Sequence, residues 1–241
     1  MLVTPALAQQ QGKFSYIAII IDDLGYNWKE AQRTIRLPGP IAVAILPHTR
    51  FATDIANLAN SEKKEVLLHL PMESTLKDKD PGPGKLDSTM PDLELALTID
   101  YDLQSVPHAV GVNNHMGSLF TTRQTQMETV ISVLHKRGNL FFVDSLTSPQ
   151  SKAALVARKQ GLPNLVRDVF LDSLRSEVAI EKQFDQLLEL AQRQGFAVAI
   201  GHPYPETLAV LERRLPALST HTIKLCSLSF LISALEMKPT P

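Results

Sequence analysis

The stretch AIIIDDLGYN, Ala18 to Asn27, sets two adjacent carboxylates directly after an apolar, β-branched run. Extended back to Tyr16, the run has the continuous hydrophobicity of a strand covered on both faces. Asp22 and Asp23 would repel each other if both were ionised and buried. They are therefore either a solvated strand end or the first half of a metal site.

Outward from this stretch the same apolar pattern recurs at IAVAIL (41–46), EVLLHL (65–70), HAVGVNN (108–114), NLFFVD (139–144), PNLVRDVF (163–170) and FAVAIG (196–201). Between them lie helical segments, at Asn27–Arg36, DLELALTIDYDLQSV, RQTQMETVISVLHKRG, EVAIEKQFDQLLELAQRQG and Pro205–Leu215. Two of these end in Gly, a helix stop. KDKDPGPGKLDS breaks the periodicity and reads as a loop, and HTIKLCSLSFL closes the chain with a last apolar segment. Seven β-α units with uniformly apolar strands predict a parallel sheet covered by helices. No glycine-rich phosphate loop follows the first strand, which favours a barrel, complete or distorted, over an open nucleotide-binding sheet.

The 241 residues carry 24 basic and 25 acidic side chains, with no clustered basic face, and 6% aromatics. That excludes the electrostatic footprint and stacking platforms of a nucleic-acid binder. Cys226 stands alone in an apolar stretch and reads as a small buried hydrophobe. No apolar run reaches the roughly 18–20 residues of a transmembrane helix. In MLVTPALAQQQGK, the ALA before QQ fits a signal-peptidase site after Ala8. Residues 1–13 are thus expected to be a flexible tail left from an export signal, and 14–235 the domain, in a periplasmic or secreted protein.

Active sites of parallel α/β folds gather at the carboxyl ends of strands. Here those ends carry Asp22-Asp23, His48, His69 with Glu73, Asn113-Asn114-His115, Asp144-Ser145 and His202. Imidazoles with carboxylates suit Zn²⁺ and similar divalent ions. One aspartate of the pair would ligate while its neighbour orients or deprotonates water, and a histidine from another strand would protonate a leaving group. Each residue also has a plainer reading. The aspartates could cap a turn, His48 could be structural or substrate-facing, Asn113-Asn114 could be a turn, and Asp144-Ser145 could cap the next helix. His108, His135 and His221 lie outside the pattern.

The segments IIIDDLGYN, LLHLPME, GVNNHMGS, FFVDS, RDVFLD and VAIGHPYPET, in that order, resemble the divergent polysaccharide deacetylases, a branch of the NodB-type carbohydrate esterases. The resemblance implies a distorted (β/α)₇, TIM-like barrel and a metal-dependent hydrolase that deacetylates sugars. It implies Asp22 as base, Asp23 as metal ligand and His202 as general acid. The H-x-x-[ST]-H motif that normally supplies two metal histidines is absent; after His69 the chain reads LPMES, with Glu73 at the place to seek a second histidine. The expected ligand set is therefore Asp23, His69 and His115, with Zn²⁺ as the metal. His48, Glu73, Asn113, Asn114, Asp144 and Ser145 are expected to support it or face substrate. The arginine of the family's R-x-P-[YW] segment has no clear equivalent. The departures leave open an inactive module that binds glycan or an envelope protein.

Overall fold

The computed structural model describes residues 14–76, 78–218 and 222–236; the expected tail 1–13 and His221 lie outside them. Strand β1 (Ser15–Leu24) is the spine. Its odd and even residues serve two different cores, as period-two alternation requires. Ile17, Ile19 and Ile21 pack outward against helices α6 (Glu177–Gln194) and α7 (Pro205–Ala217), meeting Phe184, Leu187, Leu208 and Leu211. Ala18 and Ile20 face inward. All five are at most 1% exposed, and each isoleucine stabilises the fold by up to about 1.5–3 kcal/mol.

The remaining strands are β2 (Ala42–Ile45), β3 (Glu65–Met72), β4 (Ala109–Met116), β5 (Phe141–Asp144), β6 (Asn164–Val166), β7 (Val169–Phe170), β8 (Phe196–Gly201) and β9 (Ile223–Leu225). All pair in parallel, in the order β6-β5-β4-β3-β2-β1-β8-β7, with β9 against the start of β1. Helices α1 (Trp28–Ile35), α2 (Ala52–Ser61), α3 (Asp92–Ser105), α4 (Gln124–Arg137) and α5 (Ala153–Lys159) cover the outer face of β2–β5. The sheet curls into a distorted barrel with helices around it, as expected. Among the described residues no helix is long and apolar enough to cross a membrane.

One strand departs from expectation. PNLVRDVF, read as a single sixth strand, is two strands that pair at opposite ends of the sheet, β6 with β5 and β7 with β8. The polar Arg167-Asp168 step ends one ladder before the other begins. Asp168 spends its carboxylate on the Val198 amide, and Arg167 reaches the carbonyls of Ser145 and Leu146. The distortion of the barrel lies at this step.

The interior is filled by Ala18, Ile20, Ala42, Ala44, Leu67, Val143, Val198 and Ile200, with Leu228, Leu231 and Ile232 of helix α8 (Leu228–Glu236) closing its amino end. Glu65, the first residue of β3, accepts from the Leu228 and Ser229 amides and so satisfies the exposed donors at the start of α8. The helix stops read from the sequence hold as well: Gly138 and Gly195 take left-handed conformations after α4 and α6.

Candidate metal centre

The inward parity of the strands, continued past the core, decides which polar side chains meet. Ala18 and Ile20 lead to Asp22, Leu67 to His69, Val143 to Ser145, and Val198 and Ile200 to His202. His69 pairs in register with Asn113, and Pro71 with His115. Asp23 has the wrong parity and would point outward, but its backbone is left-handed (φ 59°), which aspartate tolerates better than most residues. The register of β1 against β2 slips at the same point. Both aspartates thereby reach one side: His69 Nε2 lies 3.5 Å from Asp22 Oδ2 and 3.2 Å from Asp23 Oδ1. Gly25 completes the bend at φ 140°, with Thr49 packed so closely that a Cβ would come within 2.1 Å of its Oγ1.

Three donor atoms converge. Asp23 Oδ1 is 2.9 Å from His115 Nδ1 and 3.2 Å from His69 Nε2, and the two ring nitrogens are 3.1 Å apart. Zinc with bonds of about 2.0–2.1 Å holds its ligand atoms about 3.3 Å apart, so this triangle approximates one face of a zinc tetrahedron. Asp23 Oδ1 is also buried without a well-formed hydrogen bond, although both rings lie close to it.

Asn113 sets the orientation of the group. Its amide nitrogen donates to Asp22 Oδ1 at 2.9 Å, which leaves its oxygen facing His69 Nδ1 at 3.0 Å. An amide oxygen can only accept, so His69 Nδ1 carries the proton and Nε2 faces the two aspartates. Supporting bonds of this kind fix the tautomer and ring angle of metal-binding histidines. Burial raises the pKa of Asp22 against the pull of His69 and His202, with repulsion from Asp23 adding to the rise. For Asp23, burial is outweighed by His115 and His69, which hold its carboxyl well below the usual range. Asp22 and Asp23 in turn outweigh burial and raise His69. A buried Asp22 with Asp23 beside it favours positive charge at His69 Nε2, whether a proton or a metal.

His202 stands opposite, its Nε2 3.6 Å from Asp23 Oδ2. Its other ring nitrogen is 2.9 Å from Asp172 Oδ1, while Asp172 Oδ2 accepts from the His202 amide and the Thr207 hydroxyl. Burial would lower the His202 pKa, but Asp172 and the two strand-one aspartates prevail and raise it to about 9. Asp172 was not among the expected site residues. The signal for it is the D of RDVFLD, a carboxylate two positions beyond β7. Arg167 is held on the Ser145 and Leu146 carbonyls and is coupled electrostatically to Asp144 and Asp22.

Other expected site residues are engaged elsewhere. Glu73 accepts from both the amide and the hydroxyl of Ser88 and so pins the long loop after β3. Asp144 accepts from Leu146, Ser151 and the Ala154 amide, the helix-capping role that its residue type also allowed. Asn114 bonds the Ser145 amide and the Met116 carbonyl. Ser145 Oγ is 3.3 Å from the Asn113 amide nitrogen, which places it beside the group. A separate hollow of about 500 Å³, lined by residues including His135, Gly138, Leu162 and Ile232, gathers no comparable set of titratable groups.

His48 instead meets Asp102 of α3, Nε2 to Oδ1 at 2.8 Å, and stacks on Tyr101. Asp102 is fully buried, and its second oxygen has no hydrogen-bond partner among the described residues. Burial pushes Asp102 up to about 8 and lowers His48, so near neutrality a protonated Asp102 donates to a neutral imidazole. With the folded pKa above the unfolded one, the folded state binds more protons between about pH 4 and pH 8, and stability falls as pH rises across that window. Urea midpoints should show the wild type losing at least about 1 kcal/mol relative to Asp102→Asn between pH 5 and pH 8. Parallel pH curves for the two proteins would contradict the neutral pair.

Comparison with known proteins covers most of the chain. A family described as divergent polysaccharide deacetylase matches residues 19–232. The chain belongs to that family. Among its relatives, this divergent polysaccharide deacetylase family member is 38% identical over 215 residues to the uncharacterised protein YibQ of Escherichia coli, covering 88% of this chain and 64% of that one. The chain therefore spans just under two thirds of that relative's length. The crystal structure of the uncharacterised protein ATU2773 from Agrobacterium tumefaciens is similar at TM-score 0.87 and 25% identity, over 91% of this chain and 89% of that one. A BA3943 mutant, described as a CE4 family pseudoenzyme with restored enzymatic activity, shares the fold at TM-score 0.54 and 11% identity, over 92% and 68% of the two chains.

Proposed function

We propose that this chain is a metal-dependent hydrolase that removes acetyl groups from N-acetylated carbohydrate of the cell envelope, in the periplasm or outside the cell. The observation that carries the reading is the triangle of Asp23 Oδ1, His69 Nε2 and His115 Nδ1 beside a buried second carboxylate. Two imidazoles and one carboxylate are the donor set of a catalytic zinc site with one position left for water or substrate. A divalent ion held there supplies a Lewis acid for the acetamide oxygen and lowers the pKa of water.

The protein's own groups supply the proton transfers. Asp22, kept basic by burial and oriented by Asn113, accepts the proton of the attacking water. His202 delivers a proton from Nε2 to the departing sugar nitrogen, while Asp172 holds its Nδ1–H and stabilises the imidazolium. Amide cleavage needs both transfers, because an unprotonated amine is a poor leaving group.

Acetate release from chito-oligosaccharides or peptidoglycan fragments tests the reading. Release should rise with added zinc and stop with a chelator; no release with any divalent ion would overturn it. A second reading, a non-catalytic module that binds glycan or an envelope protein in the same cleft, is favoured by one observation. The two histidines come from neighbouring strands rather than from a single H-x-x-[ST]-H motif. Zinc-stimulated acetate release would dismiss it.

A further inference from the structure

Along one wall of the site, five side chains form a continuous stack that ends in a cation without an ionic partner. The Arg167 guanidinium lies over Phe170 at 5.1 Å, and Phe170 tilts against His202 at 5.3 Å. Tyr204 stacks on His202 at 5.3 Å and 24°, and Arg175 lies over Tyr204 with its guanidinium carbon 3.6 Å from the ring centroid. The two arginines differ in what they hold. Arg167 is occupied by two carbonyl oxygens. Arg175 is exposed, and no carboxylate lies within ion-pair distance of it among the described residues. The nearby Glu177 is already taken by Arg213.

We propose that Arg175 binds a carboxylate on the sugar next to the one that loses its acetyl group, so that the preferred substrate is an acidic glycan; this rests on the deacetylase reading above. Contact with Tyr204, which Arg175 also engages through a side-chain hydrogen bond, holds the guanidinium in place, and its remaining N–H groups can take a carboxylate. The charge stands one ring beyond the acid histidine, with Tyr204 between them, a reach comparable to the width of one sugar. Asp23 and Asp172 both act on Tyr204 electrostatically. The other cations of the wall are engaged, Arg167 by two carbonyls and His202 by Asp172, so Arg175 is the one left to match a singly charged carboxylate.

The test uses oligosaccharides in which N-acetylglucosamine alternates with a carboxylate-bearing sugar, and the same oligosaccharides as methyl esters. Wild type should prefer the free acid about tenfold in kcat/KM, mainly through KM. In Arg175→Met the preference should fall to near unity, and Arg175→Lys should restore part of it. An unchanged preference in Arg175→Met, or equal use of acid and ester by wild type, would overturn the assignment. Calorimetric binding of the same pair separates the two failures. Tighter binding of the acid, lost in Arg175→Met, supports the subsite even if no acetate is released, whereas equal binding of acid and ester removes it.

Discussion

Replacing His69 with alanine should lower the affinity of the purified protein for zinc by at least about a hundredfold in competition with a chromogenic chelator. The expectation follows from geometry. His69 Nε2 stands within 3.2 Å of the other two donor atoms, and its tautomer is fixed by Asn113. Removing it leaves two donors, and also leaves Asp22 and Asp23 facing each other with their shared histidine gone. Asp23→Asn and His115→Ala should fall in the same range, since each removes one corner of the triangle. If all three variants bound zinc as tightly as wild type, the ion would have to sit elsewhere and the proposed centre would be dismissed. Circular dichroism separates this from unfolding, because the strand ends lie above the packed interior.

Asp22→Asn should behave differently. The variant is expected to keep zinc affinity within a few fold of wild type while losing about 10²–10⁴ in kcat for acetate release. Asparagine preserves the shape of the side chain at a 3% exposed position, but it cannot accept the proton of the attacking water. It also faces the amide of Asn113, which now donates to a carboxylate oxygen. A loss of metal affinity as large as that of Asp23→Asn would show that the two aspartates do not divide the roles. A variant as active as wild type would exclude Asp22 as the base.

Much of this arrangement can be read from the chain, and the reason is periodicity. Strands buried on both faces announce themselves as apolar runs, and their carboxyl ends are visible where polar residues begin. The convergence of Asp23, His69 and His115 needed one more rule. Alternation along β3 and β4 sends His69, Asn113 and His115 inward and Asn114 outward, and the same count separates Ser145 from Asp144. What alternation cannot supply is the left-handed residue at Asp23, which reverses the parity of one side chain. Asp172 and Arg167 escaped for another reason. Their importance lies in partners more than twenty residues away, His202 for one and the Ser145 and Leu146 carbonyls for the other. The split of PNLVRDVF was hidden because each half is too short to have a pattern of its own.

Helix α8 has a consequence for traffic. With Leu228, Leu231 and Ile232 packed into the amino end and isoleucine and valine filling the middle, side chains close the interior beneath the donor atoms. On the proposed reading, a glycan would meet the donor atoms from the carboxyl ends of the strands, with its neighbouring sugars over the loops there. On that reading the strand ends would select for the acetyl group, and Arg175 for the sugar beside it.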